Sequence, residues 1–146
     1  MRHGILSVLS AGVMLALATT SGPAKAHSAA PATPEIRSFL DTLSTGDTDA
    51  AVSAVMDASP LWQSQTGAKE QMTAQVGAAA KVYGPMKSYE CLPVLRTGSL
   101  ILRQYCFAQH QNMVVRWQFD AARLPDRWSI AYFGFTDQAQ SWPDGE

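Results

Sequence analysis

The stretch from Met86 to Asp137 constrains this chain most, because it reads as four strands in succession with only short turns between them. Runs rich in aliphatic and aromatic residues cover about Met86 to Arg96, Leu100 to Gln109, Met113 to Asp120 and Trp128 to Thr136. Turn chemistry falls at Gly98, at His110-Gln111-Asn112 and at Leu124-Pro125-Asp126. Strands joined this closely pair antiparallel, and such a sheet buries one face against another layer. The layer available is N-terminal, so the expected class is α+β, with N-terminal helices packed on a curved four-stranded antiparallel sheet.

Three helical segments supply that layer. Thr33-Pro34-Glu35 is a helix start, with a capping hydroxyl, a proline at the first helical position and an early acid. Ile36, Phe39, Leu40 and Leu43 then recur at helical spacing until Gly46. Asp47-Thr48-Asp49 caps a second helix whose buried face is Ala51, Val52 and Val55, and Ser59-Pro60 ends it. Leu61 and Trp62 fall in the following loop, where they can plug the open end of the core or line a pocket mouth. A third helix, about Gly67 to Tyr83, carries Met72, Val76, Ala79, Ala80 and Tyr83 on one stripe and stops at Gly84-Pro85. Its small residues let it lie close against a sheet, with Met72 either filling core or facing a ligand.

The chain opens with Met1-Arg2-His3, runs through the apolar stretch Ile5 to Ala18 and reaches Ala24-Lys25-Ala26, the three-part pattern of a secretory signal peptide. The apolar core is shorter than the about 20 residues that span a bilayer. Cleavage after Ala26 is expected, leaving 120 of the 146 residues in the periplasm or outside the cell, with no membrane partner thereafter. Residues 27–33 read as a disordered lead-in, 34–140 as a single α+β domain and 141–146 as a flexible tail. Losing Arg2 and Lys25 takes the cations from eleven to nine against twelve carboxylates, a net charge of −3. With no basic stripe, nucleic acid is not an expected partner.

Two cysteines in an exported chain suggest one disulfide. Folding the first hairpin about Gly98 and Ser99 places Cys91 opposite Cys106. Pro93 cannot donate to a ladder, and a four-residue loop puts both Pro93 and Cys91 on non-hydrogen-bonded sites, where Cα atoms approach most closely. Folding the second hairpin about Gln111 sets Tyr105 against Trp117, Phe107 against Val115 and Arg103 against Phe119. One face then collects Glu90, Leu92, Val94, Ile101, Arg103, Tyr105, Phe107, Val115, Trp117 and Phe119 and, being more aromatic, is expected to cover the helices. The other carries Tyr89, Cys91, Leu95, Leu102, Gln104, Cys106, Val114, Arg116 and Gln118, and is expected to be more open and to hold the disulfide.

Glu90, Arg103 and Tyr105 are the polar exceptions on the aromatic face. Either Arg103 stacks on Trp117 or Phe119 and reaches water, or Arg103 and Tyr105 project into a pocket between sheet and helices. The ligand-pocket candidates are Trp62, Met72, Glu90, Arg103, Tyr105 and Trp117. No catalytic set is assigned, because there is no Gly-x-Ser-x-Gly, no cysteine outside the disulfide and no phosphate-cradling glycine loop. No metal or other cofactor is expected, since only His27 and His110 survive signal removal and neither lies in a ligand-spaced cluster. Acid–base chemistry would rest on Glu90 or Asp120 with Tyr105 and Arg103.

The succession of helices, Tyr83-Gly84-Pro85 and four long strands ending Asp126-Arg127-Trp128-Ser129-Ile130-Ala131-Tyr132-Phe133-Gly134-Phe135 resembles the nuclear-transport-factor-two-like (cystatin-like) superfamily, especially its small exported bacterial members of unknown function. The likeness covers about Pro34 to Asp137. It implies a cone-shaped half-barrel, a bent sheet wrapped over helices with a pocket between them, and many such domains dimerise through the sheet. Some members are isomerases, dehydratases or cyclases that use a pocket Asp with a Tyr or His. The leading expectation is an exported, non-catalytic binding or interaction module for a small apolar or amphipathic ligand or a protein partner. The alternatives are a small pocket enzyme and a homodimer formed through the open face with Gln104, Arg116 and Gln118.

Overall fold

The computed structural model describes residues 28–142. The signal peptide assigned to residues 1–26, His27 and the last four residues of the tail lie outside the described residues. Four helices come first: α1 (Pro34–Ser44), α2 (Thr48–Met56), α3 (Pro60–Gln63) and α4 (Ala68–Tyr83). Five strands follow: β1 (Met86–Cys91), β2 (Leu95–Thr97), β3 (Ile101–His110), β4 (Val114–Arg123) and β5 (Trp128–Thr136). The fold is α+β, with the helices N-terminal to a curved antiparallel sheet of order β1-β3-β4-β5 and β2 also paired with β3.

The helices begin where their caps stand. Thr33 Oγ1 accepts the Ile36 N–H at 3.4 Å and Asp47 Oδ1 accepts that of Ala50 at 3.0 Å, satisfying donors that the first turns leave free. The helical spacing of Ile36, Phe39, Leu40 and Leu43 gives α1 one fully buried face. Phe39 meets Trp117, Phe119 and Phe133 edge-on, at centroid distances of 4.6, 5.6 and 5.7 Å, which seats α1 on β4 and β5. Leu61 and Trp62, expected in a loop, lie instead in the single turn of α3, which Pro60 opens.

The first expected strand is broken. Between the Cys91–Cys106 pair and the Leu95–Arg103 pair, the three residues Leu92-Pro93-Val94 stand against two on β3 and break the strand, although Leu92 N–H still donates to Tyr105 C=O at 2.8 Å. The sheet therefore has five strands where four were expected. The disulfide register holds: Cys91 faces Cys106 with Cα atoms 4.0 Å apart, and their sulfurs are bonded. The Cys91 N–H donates to Ser28 Oγ at 3.1 Å and its C=O accepts from Ala29 N–H at 2.8 Å, so both point away from β3. This is the non-hydrogen-bonded geometry that lets two Cα atoms approach. Closing a loop across 15 residues contributes on the order of 3 kcal/mol in the entropic account.

The second hairpin corrects the expected faces. β3 and β4 pair Cys106 with Trp117, Gln104 with Phe119 and Arg103 with Asp120, one residue away from the register expected about Gln111. His110 N–H donates to Met113 C=O at 2.8 Å, so the turn is Gln111-Asn112. No non-glycine residue here has positive φ, which excludes the type I′ turn that usually closes such a hairpin. The turn is held from outside: Gln111 N–H donates to Pro85 C=O at 3.0 Å and Asn112 N–H to Tyr83 C=O at 2.9 Å. A one-residue slip moves every side chain of a strand to the opposite face. Leu102, Gln104, Cys106, Ala108 and His110 thus face the helices beside Val115, Trp117 and Phe119, while Arg103, Tyr105 and Phe107 face outward. The disulfide lies in the core rather than on the open face, and Gln104, expected at a dimer contact, is 1% exposed.

Gln104 is buried because it is saturated. Its Nε2 donates to Ala30 C=O and Leu92 C=O, each at 3.0 Å, and its Oε1 accepts Ala32 N–H at 2.7 Å. One amide thereby ties the segment before α1 to the break between β1 and β2. Two tyrosines stitch helices and sheet elsewhere: Tyr89 Oη donates to Asp41 at 2.7 Å and Tyr83 Oη to Asp137 at 3.0 Å.

Two outcomes are expected. Gln104→Leu keeps volume but strands three main-chain groups, so it should cost on the order of 2 kcal/mol in chemical denaturation and speed exchange of the Ala32 amide. Burial first, and then the carboxylate hydrogen bond, raise the phenol pKa of Tyr83 and Tyr89 above the ordinary 10.0. The folded chain therefore holds those protons more tightly, and their contribution is full below the unfolded value and lost as pH rises through the folded one. The melting temperature should fall above about pH 10, and less steeply in Tyr83→Phe/Tyr89→Phe.

Candidate functional site

The six residues singled out from the sequence do not converge. Trp62 is half-buried and plugs the core edge: its Nε1–H donates to Ile130 C=O at 3.1 Å and its ring meets Phe133 edge-on at 6.0 Å. That carbonyl, beside the irregularity where β4 and β5 shift register between Asp120 and Ala121, also accepts from Ser59 Oγ at 3.0 Å. Met72 packs against the core from α4, and Trp117 is 2% exposed among the inner aromatics. Glu90, Arg103 and Tyr105 stand on the outer face. Three candidates are thus inside and three outside, a consequence of the hairpin register.

On that outer face the expected acid–base set is occupied by itself. Arg103 Nε and Nη2 each donate to Asp120 at 2.8 Å across the strand pair, and Gln118 Nε2 reaches the same carboxylate at 3.2 Å. The hydrogen bonds to Asp120 push the guanidinium pKa further up, holding its charge. Arg103 remains 44% exposed, so water screens the pair, which contributes at most about 1 kcal/mol. Glu90 borders a groove of about 250 Å³ with Phe107 and Val114. Tyr105 is covered by the Arg116 guanidinium, 4.9 Å above its ring.

A larger concavity lies between the α1–α2 turn, the second half of α4 and the start of β1. It is a cleft of about 460 Å³, within the size range of small-molecule sites. Leu43, Ala80, Pro85 and Met86 provide apolar wall, Thr45, Gly46 and Thr48 form one side, and Lys81 and His110 bring the nitrogen chemistry. The His110 Nδ1 lies 2.8 Å from Gly84 C=O, an acceptor, so Nδ1 carries the proton and the ring is fixed. Ser44 and Thr45 spend their hydroxyl protons on Asp41 C=O and Thr42 C=O. A much smaller cavity of about 10 Å³, lined also by Val76, Val115 and Trp117, shares Leu43, Ala80 and His110 with the cleft. The Trp117 Nε1–H is buried without a partner.

Gly77 lines this cleft. It sits inside α4 on ordinary helical backbone, and a Cβ there would meet nothing closer than Thr48 Cγ2 at 4.0 Å. Packing does not require a glycine at that position, although glycine costs a helix interior about 1 kcal/mol relative to alanine. Gly77, Lys81 and His110 were not among the sequence candidates. The available signal was the lone glycine inside a helical pattern; that His110 ends up opposite it depends on strand pairing and helix packing far apart in sequence. Gly77→Ala should raise stability by about 0.5–1 kcal/mol and the melting temperature by a few degrees, measurable by calorimetry.

Compared with known proteins, the chain matches no protein-family profile, and neither a curated protein nor a solved structure is significantly similar to it.

Proposed function

We propose that this chain is an exported, non-catalytic binding module that holds a small amphipathic ligand in the cleft between α4 and the α1–α2 turn. The observation that carries this reading is Gly77, a destabilising choice in a helix interior that no neighbour enforces and that stands on the wall of that cleft. The signal-like first 26 residues, the buried disulfide and the absence, among the described residues, of a helix long and apolar enough to cross a membrane support the exported setting. The resemblance to nuclear-transport-factor-two-like domains agrees with a pocket beside the helices. The acid–base alternative loses support because Asp120 is engaged by Arg103 and Gln118.

Native mass spectrometry of the protein from its own exported fraction, before and after denaturation, tests the reading. Wild type should retain a small molecule that Gly77→Leu, which fills the cleft on an intact helix, loses. A bare wild-type chain, or a molecule retained equally by both, overturns it.

A further inference from the structure

Resting on that reading, we infer that the ligand is a singly charged amphipathic anion, an alkyl or aryl carboxylate, with its charge at Lys81 and its apolar body against Leu43, Ala80 and Met86. Among the described residues, no Asp or Glu lines the cleft or the smaller cavity beside it. Lys81, the one charged side chain on the wall, is in no ion pair among the described residues. A cation entering here meets a like charge and finds no counter-ion, whereas an anion gains a charge-assisted hydrogen bond.

The smaller cavity that shares Leu43, Ala80 and His110 with the cleft presents apolar surface alone, which suits the hydrocarbon end of the ligand and leaves Lys81 to hold its charge. The N-terminus of α2 does not compete for this role, because Asp47 already accepts its Ala50 N–H at 3.0 Å. One lysine without a second cation matches a single negative charge better than a phosphate dianion, and the apolar walls select an extended hydrocarbon body over a small inorganic ion.

Octanoate, octanol and octylamine share a chain and differ in head group, so calorimetric titration of the delipidated full-length mature protein with each, at neutral pH, separates the two claims. Octanoate should bind at least about tenfold more tightly than octanol, and octylamine should bind most weakly. Lys81→Gln should erase the preference for octanoate over octanol without lowering the melting temperature, and Gly77→Leu should weaken both ligands. Equal binding of octanoate and octanol, or a preference that survives Lys81→Gln, overturns the anion assignment and leaves the cleft standing if Gly77→Leu still blocks it. Binding of none of the three, or binding that Gly77→Leu leaves unchanged, overturns both.

Discussion

Phe39 is the contact through which the helical layer is joined to the sheet. Fully buried, it presents its ring to the edges and faces of Trp117, Phe119 and Phe133, which stand side by side on β4 and β5. Burying a phenylalanine contributes about 1.5–3 kcal/mol, and oriented aromatic pairs add about 0.5–1.5 kcal/mol each. α2 packs on α1 and α4 packs on α2, and Tyr83 ties the end of α4 directly to Asp137 and to the Gln111-Asn112 turn. On the inner face of β3, Cys106 pairs with Trp117 and Gln104 with Phe119, so no β3 aromatic adds to this layer of rings.

The sheet's inner face is decided at the Gln111-Asn112 turn, and that turn is decided by α4. Gly84, with φ +77°, ends the helix in a conformation that favours glycine, and a Cβ there would come within 3.0 Å of Gln111 Cβ. Main-chain oxygens of Tyr83 and Pro85 then capture the turn amides. The same junction brings Gly84 C=O to His110, so one small meeting point of helix and hairpin sets the strand register, orients the imidazole and forms the back of the cleft. At the opposite edge, Gln104 and the disulfide do comparable work for the segment before α1 and the break at Leu92-Pro93-Val94. The outer face that results is polar and aromatic together, with Arg103 and Asp120 paired, Arg116 over Tyr105, and Trp142 against Phe107 at 5.1 Å.

Much of this was legible in the sequence because it is local. Helices α1, α2 and α4, the caps at Thr33 and Asp47, the stop at Gly84-Pro85, the hairpin succession apart from the break at Leu92-Pro93-Val94 and the Cys91–Cys106 pairing follow from periodicity, turn chemistry and a short hairpin, each read within about twenty residues. What tertiary structure alone decided is the parity of the second hairpin and everything that depends on it. Whether that turn holds two residues or three is a choice its own residues leave nearly balanced, and hydrogen bonds from Tyr83 and Pro85, nearly thirty residues away, settle it. A strand alternates its faces with period two, so that single choice sent Arg103 and Tyr105 outward, took Gln104 and the disulfide inside, and set His110 across from Gly77 at the cleft.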